Sequence, residues 1–220
     1  MATTDMDRWE DLEQWSPSAF IGAGVLLLGY ATLQGINSFT SLTLQSAVLV
    51  LYGGIALLAP VFALLGLYRR LRDHAPRMAL AGVATAILSG LLTFVALMWV
   101  VVATLQMDGL PAIPADAPAW TSVATLSGFL LLAVSFLLFG VASLRTPVVS
   151  RTVALLLLVP TAAWVGLVVG NAILNPEGHY LAVLVYTPIS LALLAVGYHL
   201  RTKGVPTDRA ELATTEARHD

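Results

Sequence analysis

Side chains able to move protons or hold a metal are scarce in this chain, and those that could act together are Asp108, Asp116, Glu177 and His179. A carboxylate beside an imidazole can bind a divalent cation or serve as an acid–base pair. The stretches that hold these residues are short, and the one with both aspartates, MDGLPAIPADAPAW, is punctuated by Pro111, Pro114 and Pro118. Such a segment reads as a stiff cap that ends at an interfacial Trp120, its charges solvated. HExxH, the P-loop and GxSxG are all absent, so no motif points to a catalytic centre. There is no cysteine, which removes disulfides, thiol catalysis and Cys-ligated clusters. His74, His179, His199 and His219 are scattered, with no pair placed to hold a haem at depth. The chain is therefore expected not to be an enzyme and to hold no cofactor and no metal. Catalysis at one surface by the His179 group ranks last among the functional readings.

Residues that could bind are easier to find. The chain has seven Asn or Gln residues, and six of them (Gln34, Asn37, Gln45, Gln106, Asn171 and Asn175) fall near the same ends of the apolar segments. An amide is hard to hide in lipid and turns toward a partner helix or a wet cavity; at a helix end it can also sit among headgroups. Pro60, Pro160 and Pro188 interrupt apolar segments, where each frees a carbonyl and invites a bend. Thr161 and Thr187 stand beside two of them and can recapture the freed groups. Together these features mark an outward-facing polar vestibule. Its candidate lining is Gln34, Asn37, Asn171, Tyr186 and Thr187, with Pro60, Pro160 and Pro188 shaping it.

The elements that must position these residues are membrane helices. Of the 220 residues, 58% are hydrophobic and 11% charged, against roughly a quarter charged in a soluble domain. So few charges cannot cover a water-facing surface. A hydrocarbon core of about 30 Å takes roughly 20 helical residues, and six segments qualify: 18–37, 47–67, 79–105, 122–143, 152–174 and 181–200. Backbone groups in lipid must be satisfied within the segment, which makes these helices; no ten-residue alternation suggests a barrel. The third is longer than needed, so tilt or an extension is expected. The fold is thus an all-α, polytopic bundle of six transmembrane helices spanning 18–200. Residues 1–17 precede it as an acidic segment and 201–220 follow as a polar tail. DMDRWEDLEQW spaces Met6, Trp9, Leu12 or Glu13, and Trp15 near a helical period, which predicts a short interfacial helix; a disordered acidic tail is the alternative.

Charge sets the orientation. With the N-terminus inside, all eleven Lys and Arg residues fall on inner segments, and the outer loops hold only acids. The positive-inside rule then places both termini in the cytoplasm and the protein in the plasma membrane. Arg69, Arg70, Arg72 and Arg77 in YRRLRDHAPR anchor this topology, and their second reading is contact with anionic lipid or a partner protein. The net charge of −2 and the lack of a basic stripe exclude a nucleic-acid partner. Ten Arg to one Lys, with acidic chain ends, is the usage expected of a GC-rich, haloarchaeal source.

Two patterns concern packing. GGIALLAPVFALLG (53–66) and SGFLLLAVSFLLFG (127–140) share Gly54/Gly128, Phe62/Phe136 and Gly66/Gly140 among other positions. This predicts parallel hairpin repeats, helices two–three and four–five, with six and one as a third pair; chance alignment of Leu/Ala-rich helices is the alternative. Small-residue ridges run along helix three (Gly82, Ala86, Gly90) and helix five (Ala162, Gly166, Gly170). They suit close packing inside the bundle, or a homodimer through helix five. Three functions remain: a small transporter-like or ligand-binding permease, a non-enzymatic membrane subunit or scaffold acting through helix faces and the arginine loop, and the surface enzyme. The partners expected are the lipid bilayer, with a small-molecule ligand or a membrane protein.

Overall fold

The computed structural model describes residues 3–39, 46–105, 118–147, 149–174 and 179–203, with side chains over 15–36, 48–49, 51–103, 118–147, 149–167 and 183–202. It has six helices: α1 (Thr3–Phe39), α2 (Ser46–Arg72), α3 (Pro76–Leu105), α4 (Ala119–Arg145), α5 (Arg151–Leu174) and α6 (His179–Lys203). No strand occurs among the described residues. Five helices are long and apolar enough to cross a membrane, and α5 adds a described apolar stretch, Arg151–Leu167. The acidic segment does not form a helix of its own. It is the start of α1, which runs unbroken from Thr3 through Pro17.

Local chemistry sets the helix limits. Pro76 opens α3, where its missing N–H costs nothing. The tight turn before it is closed by hydrogen bonds from the His74 and Ala75 amides to the Leu71 carbonyl, 3.1 and 2.8 Å. At the end of α4, Thr146 is extended (φ −123°, ψ 145°), as the steric demand of Pro147 requires. Ser150 then caps α5: its Oγ accepts from the Val153 amide at 3.4 Å.

Each helix packs on its chain neighbours, and α1 against α6, the most extensive pairing, closes a ring. A further contact between α2 and α4 cuts across that ring. It draws α4 inward and leaves α3 touching, among the described helices, α2 and α4 alone. Large apolar side chains cover the outside, among them Val25, Ile55, Leu91, Val123, Leu155 and Leu191. In water this would be one continuous sticky patch; in a bilayer it is the lipid-facing surface.

Lipid is as apolar as leucine, so close approach has to hold the helices together. At the α1–α6 seam a Cβ on Gly197 would stand 2.8 Å from the Pro17 carbonyl oxygen, and one on Gly24 would stand 2.7 Å from Leu194 Cγ. The α3–α4 seam adds hydrogen bonds. Ser89 Oγ donates to the Gly128 carbonyl and Ser135 Oγ donates to the Gly82 carbonyl, each at 2.7 Å. Between α1 and α2, Gly29 faces Tyr52, Tyr30 faces Gly53 and Ser16 faces Gly66, all in one antiparallel register.

The echo between 53–66 and 127–140 does not extend to packing. Phe62 is 66% exposed, whereas Phe136 is 1% exposed. Gly66 faces Ser16 on α1, the helix before it, while Gly140 faces Leu158 on α5, the helix after it. Gly197 on α6, facing α1, follows the pattern of Gly140 and not that of Gly66.

Candidate functional site

The site begins with Tyr30 on α1. Its hydroxyl accepts a 2.8 Å hydrogen bond from Gln34 Nε2, one turn along the helix. Its ring lies on Gly53 of α2, where a Cβ would stand 2.7 Å from the ring. Tyr30 meets Tyr186 of α6 edge to face, with ring centroids 5.0 Å apart. Tyr186 meets Trp164 of α5 in the same way at 5.7 Å, and Trp164 stacks on Phe129 of α4 at 4.6 Å. Four rings from four helices therefore form one aromatic floor in geometries that their quadrupoles favour.

Over this floor, toward the end of the bundle away from the arginines, lies a cavity of about 510 Å³. This lies within the range of small-molecule sites, roughly 300–1,000 Å³. Its walls come from α2, α3 and α4, with Tyr30 and Tyr186 reaching in from α1 and α6. Leu57, Ala96, Leu97, Val100, Leu126 and Phe129 make it largely apolar. Among the described residues its side-chain polar groups, apart from the Trp99 indole, are the hydroxyls of Tyr30, Thr93, Thr121, Ser122, Thr125 and Tyr186, and none of the described side chains that line it is charged. Trp99 also meets Trp120 edge to face, at 6.4 Å.

These hydroxyls are not equivalent. Thr121 donates to the Pro118 carbonyl at 2.7 Å and Thr125 to the Thr121 carbonyl at 2.8 Å. Their protons are engaged within α4, so toward the cavity they offer lone pairs. Tyr30 is the reverse: Gln34 occupies its acceptor side, which leaves its proton to donate. Tyr186 and Thr93 are buried, 6% and 8% exposed, and their hydroxyls have no hydrogen-bond partner among the described residues.

The cavity is closed toward the arginine end. Beneath it, Leu57 and Tyr186 also border a void of about 10 Å³, completed by Pro60, Leu132, Phe136 and Trp164 among others. That is room for a single water at most. The bundle is hollow on one side of this level and packed on the other.

Of the expected vestibule residues, Tyr186 lines the cavity, Gln34 reaches it through Tyr30, and Pro60 belongs to the packed level below. Thr187 lies instead in a separate apolar groove between α1 and α6, with Leu28, Thr32 and Val183. It donates to its own helix, to the Val183 carbonyl at 2.8 Å. Thr161 does not repair the gap left by Pro160 but donates across to the Ala133 carbonyl of α4 at 2.9 Å. Pro160 is buried, Pro188 half-buried, and neither borders the cavity. The side chains of Asn37, Asn171 and His179, and all of Gln45, Gln106, Asp108, Asp116, Asn175 and Glu177, lie outside the described residues. Sequence reading missed Thr93, Trp99, Thr121, Ser122 and Thr125. The spacing of Thr121 and Thr125, one turn apart at the start of α4, was the available clue.

The remaining candidates sit elsewhere. At the arginine end, Arg69 and Arg70 are half-buried and Arg72 and Arg77 exposed. Arg72 Nε pairs with Asp73 at 3.3 Å on the surface. On α3, Gly82 packs on the Phe139 ring, Ala86 is fully buried, and Gly90 faces Val61 of α2. On α5, Ala162 and Gly166 are exposed, and a Cβ on Gly166 would meet nothing within 4 Å. The surroundings of Gly170 are outside the described residues. No cluster of three or more His, Asp or Glu able to hold a metal ion occurs among the described residues.

Comparison with known protein families, with curated proteins and with solved structures finds no match.

Proposed function

We propose that this multi-pass membrane protein is a ligand-binding permease, taking a small uncharged molecule into the cavity over the Tyr30–Tyr186 floor. One observation carries the reading: a cavity of about 510 Å³, furnished with hydroxyls and lined by no charged side chain among the described residues, that is bounded below at Leu57 and Tyr186. A charged occupant would lose its hydration and find no counter-charge. An uncharged one with polar groups finds apolar walls and a few fixed hydrogen-bonding atoms, the usual composition of a small-molecule site. The distribution of arginine supports an orientation with both termini in the cytoplasm of the plasma membrane and the cavity facing out. The lining offers hydroxyls but no carboxylate, imidazole or amine among the described residues, which favours binding over catalysis.

The test is thermal unfolding of the whole chain in lipid nanodiscs against a panel of uncharged and charged small molecules. Stabilising compounds should be uncharged, and their effect should vanish in Ala96→Trp, which fills the cavity from α3. If no compound stabilises in an Ala96-dependent way, the reading fails.

The second reading, a membrane subunit, is favoured by the outward-facing Ala162 and Gly166 of α5. There a small-residue face is left without a partner helix in the chain. Cross-linking from Gly166→Cys in native membranes would capture a neighbour if this reading holds.

A further inference from the structure

We infer that the ligand is an uncharged planar ring compound bearing a carbonyl-type oxygen, read by the hydroxyls of Tyr30 and Tyr186; this rests on the ligand-binding reading above. The two phenols are the donors carried on aromatic rings that meet at the base of the site, beside the hydroxyls of Thr93 and Ser122 and the Trp99 N–H. Gln34 occupies the acceptor side of the Tyr30 hydroxyl, so its proton points elsewhere. Tyr186 is 6% exposed, borders the cavity, and its hydroxyl has no partner among the described residues. A buried donor left unmet costs free energy, and an acceptor oxygen on the ligand removes that cost. The rings lie edge to face, 5.0 Å between centroids, and both residues border the cavity, so the two phenols form one continuous part of its lining.

The shape of the ligand follows from the walls. Trp99 and Phe129 add two ring surfaces to the two tyrosines, and flat apolar rings pack on such surfaces in offset or edge geometry. The charge of the ligand follows from the lining, which among the described residues holds no ionisable group other than the two phenols. A quinone combines the required features: a flat ring, no charge and acceptor oxygens. Such a ring can arrive dissolved in water or on a lipid-soluble tail. The cavity chemistry is the same for both, and the experiment separates them.

The probe is 1,4-naphthoquinone, titrated onto the full chain in nanodiscs and followed by quenching of tryptophan emission, with empty nanodiscs as blank. The chain has no cysteine, so the quinone cannot add to a thiol. Naphthalene supplies the same ring without oxygens, and 2-naphthoate the same ring with a charge. Naphthoquinone should bind saturably, naphthalene about tenfold more weakly, and naphthoate not at all. Tyr30→Phe and Tyr186→Phe should each weaken naphthoquinone about tenfold and leave naphthalene unchanged. A polyprenyl naphthoquinone placed in the nanodisc lipid competes if the ring comes from the membrane; failure to compete assigns the aqueous source. Equal binding of naphthoquinone and naphthalene, or indifference to both Tyr→Phe changes, overturns the donor assignment while leaving a ligand cavity standing. If neither ring compound binds in an Ala96→Trp-sensitive way, the ring class is wrong. The wider panel of uncharged molecules then decides separately whether the cavity binds anything.

Discussion

Ser135 on α4 donates a 2.7 Å hydrogen bond to the carbonyl of Gly82 on α3, and seven residues along each helix Ser89 returns it to Gly128. The bonds run in opposite senses, both between a serine and a glycine whose bare backbone leaves the carbonyl reachable. Among the described helices α3 touches α2 and α4 alone, so this seam is one of the two that hold it there. Ser89→Ala and Ser135→Ala should each cost about 0.5–1 kcal/mol, the usual range for an interhelical hydrogen bond in lipid. Ser190→Ala, which removes only a bond to its own helix at Tyr186, should cost less. Equilibrium unfolding in mixed micelles reads all three; a Ser89/Ser135 double variant as stable as the parent would show the seam to be held by packing alone.

The α1–α6 seam is tighter. Alanine at Gly197 puts a methyl 2.8 Å from the Pro17 carbonyl oxygen and 2.9 Å from the Ile21 amide nitrogen. Both are backbone atoms, which cannot rotate away, so Gly197→Ala is expected to destabilise by about 1–3 kcal/mol. Gly22→Ala, in the same helix pair but with nothing within 4 Å, should leave the melting temperature unchanged or raise it slightly. Equal losses at the two sites would mean that helix propensity and not crowding decides.

Phe62 and Phe136 occupy matching places in the two echoing segments, yet one is exposed and the other buried. Phe136→Ala should therefore cost about 3–5 kcal/mol, while Phe62→Ala, a change in a lipid-facing side chain, should cost well under half of that. Similar costs would restore the hairpin repeat as a feature of packing.

Orientation is testable without a ligand. Reporter fusions after Lys203 and within 106–117 should be found on opposite sides of the membrane, the first cytoplasmic. Replacing Arg69, Arg70, Arg72 and Arg77 by Gln should yield a mixed population, because those residues supply much of the positive-inside bias. A uniform topology in that variant would move the determinant to Arg145, Arg151 or the chain ends.

The helices were legible because length and hydropathy decide them: the segments 47–67 and 152–174 fall within α2 and α5 with small differences at their ends. The beginning of α1 was less so, since Pro17 and a run of acids look like a boundary, and the helix passes through both. The position of the site was not legible. A membrane helix is apolar toward lipid and toward its neighbours alike, so nothing in FALLG or FLLFG says which phenylalanine turns inward. The amides drew attention because they are costly in lipid. The threonines that line the cavity did not, because Thr125 hides its proton on the carbonyl one turn back and so reads as neutral. Tyr186 was identifiable as a polar aromatic in a span, but its neighbour Thr187 turns to a different groove.

The uninterrupted α1 changes how the arginines should be counted. Its 37 residues make a rod of about 55 Å, some 25 Å more than the hydrocarbon needs. Its antiparallel register with α2, fixed where Ser16 meets Gly66 and Tyr30 meets Gly53, brings Glu13 level with Arg69 and Glu10 level with Arg72. The basic end of the bundle thus carries its own acidic counterweight on the same chain. Acidic residues at that level are expected to weaken the pull of the α2 and α3 arginines on an anionic headgroup, so the positive count alone overstates it.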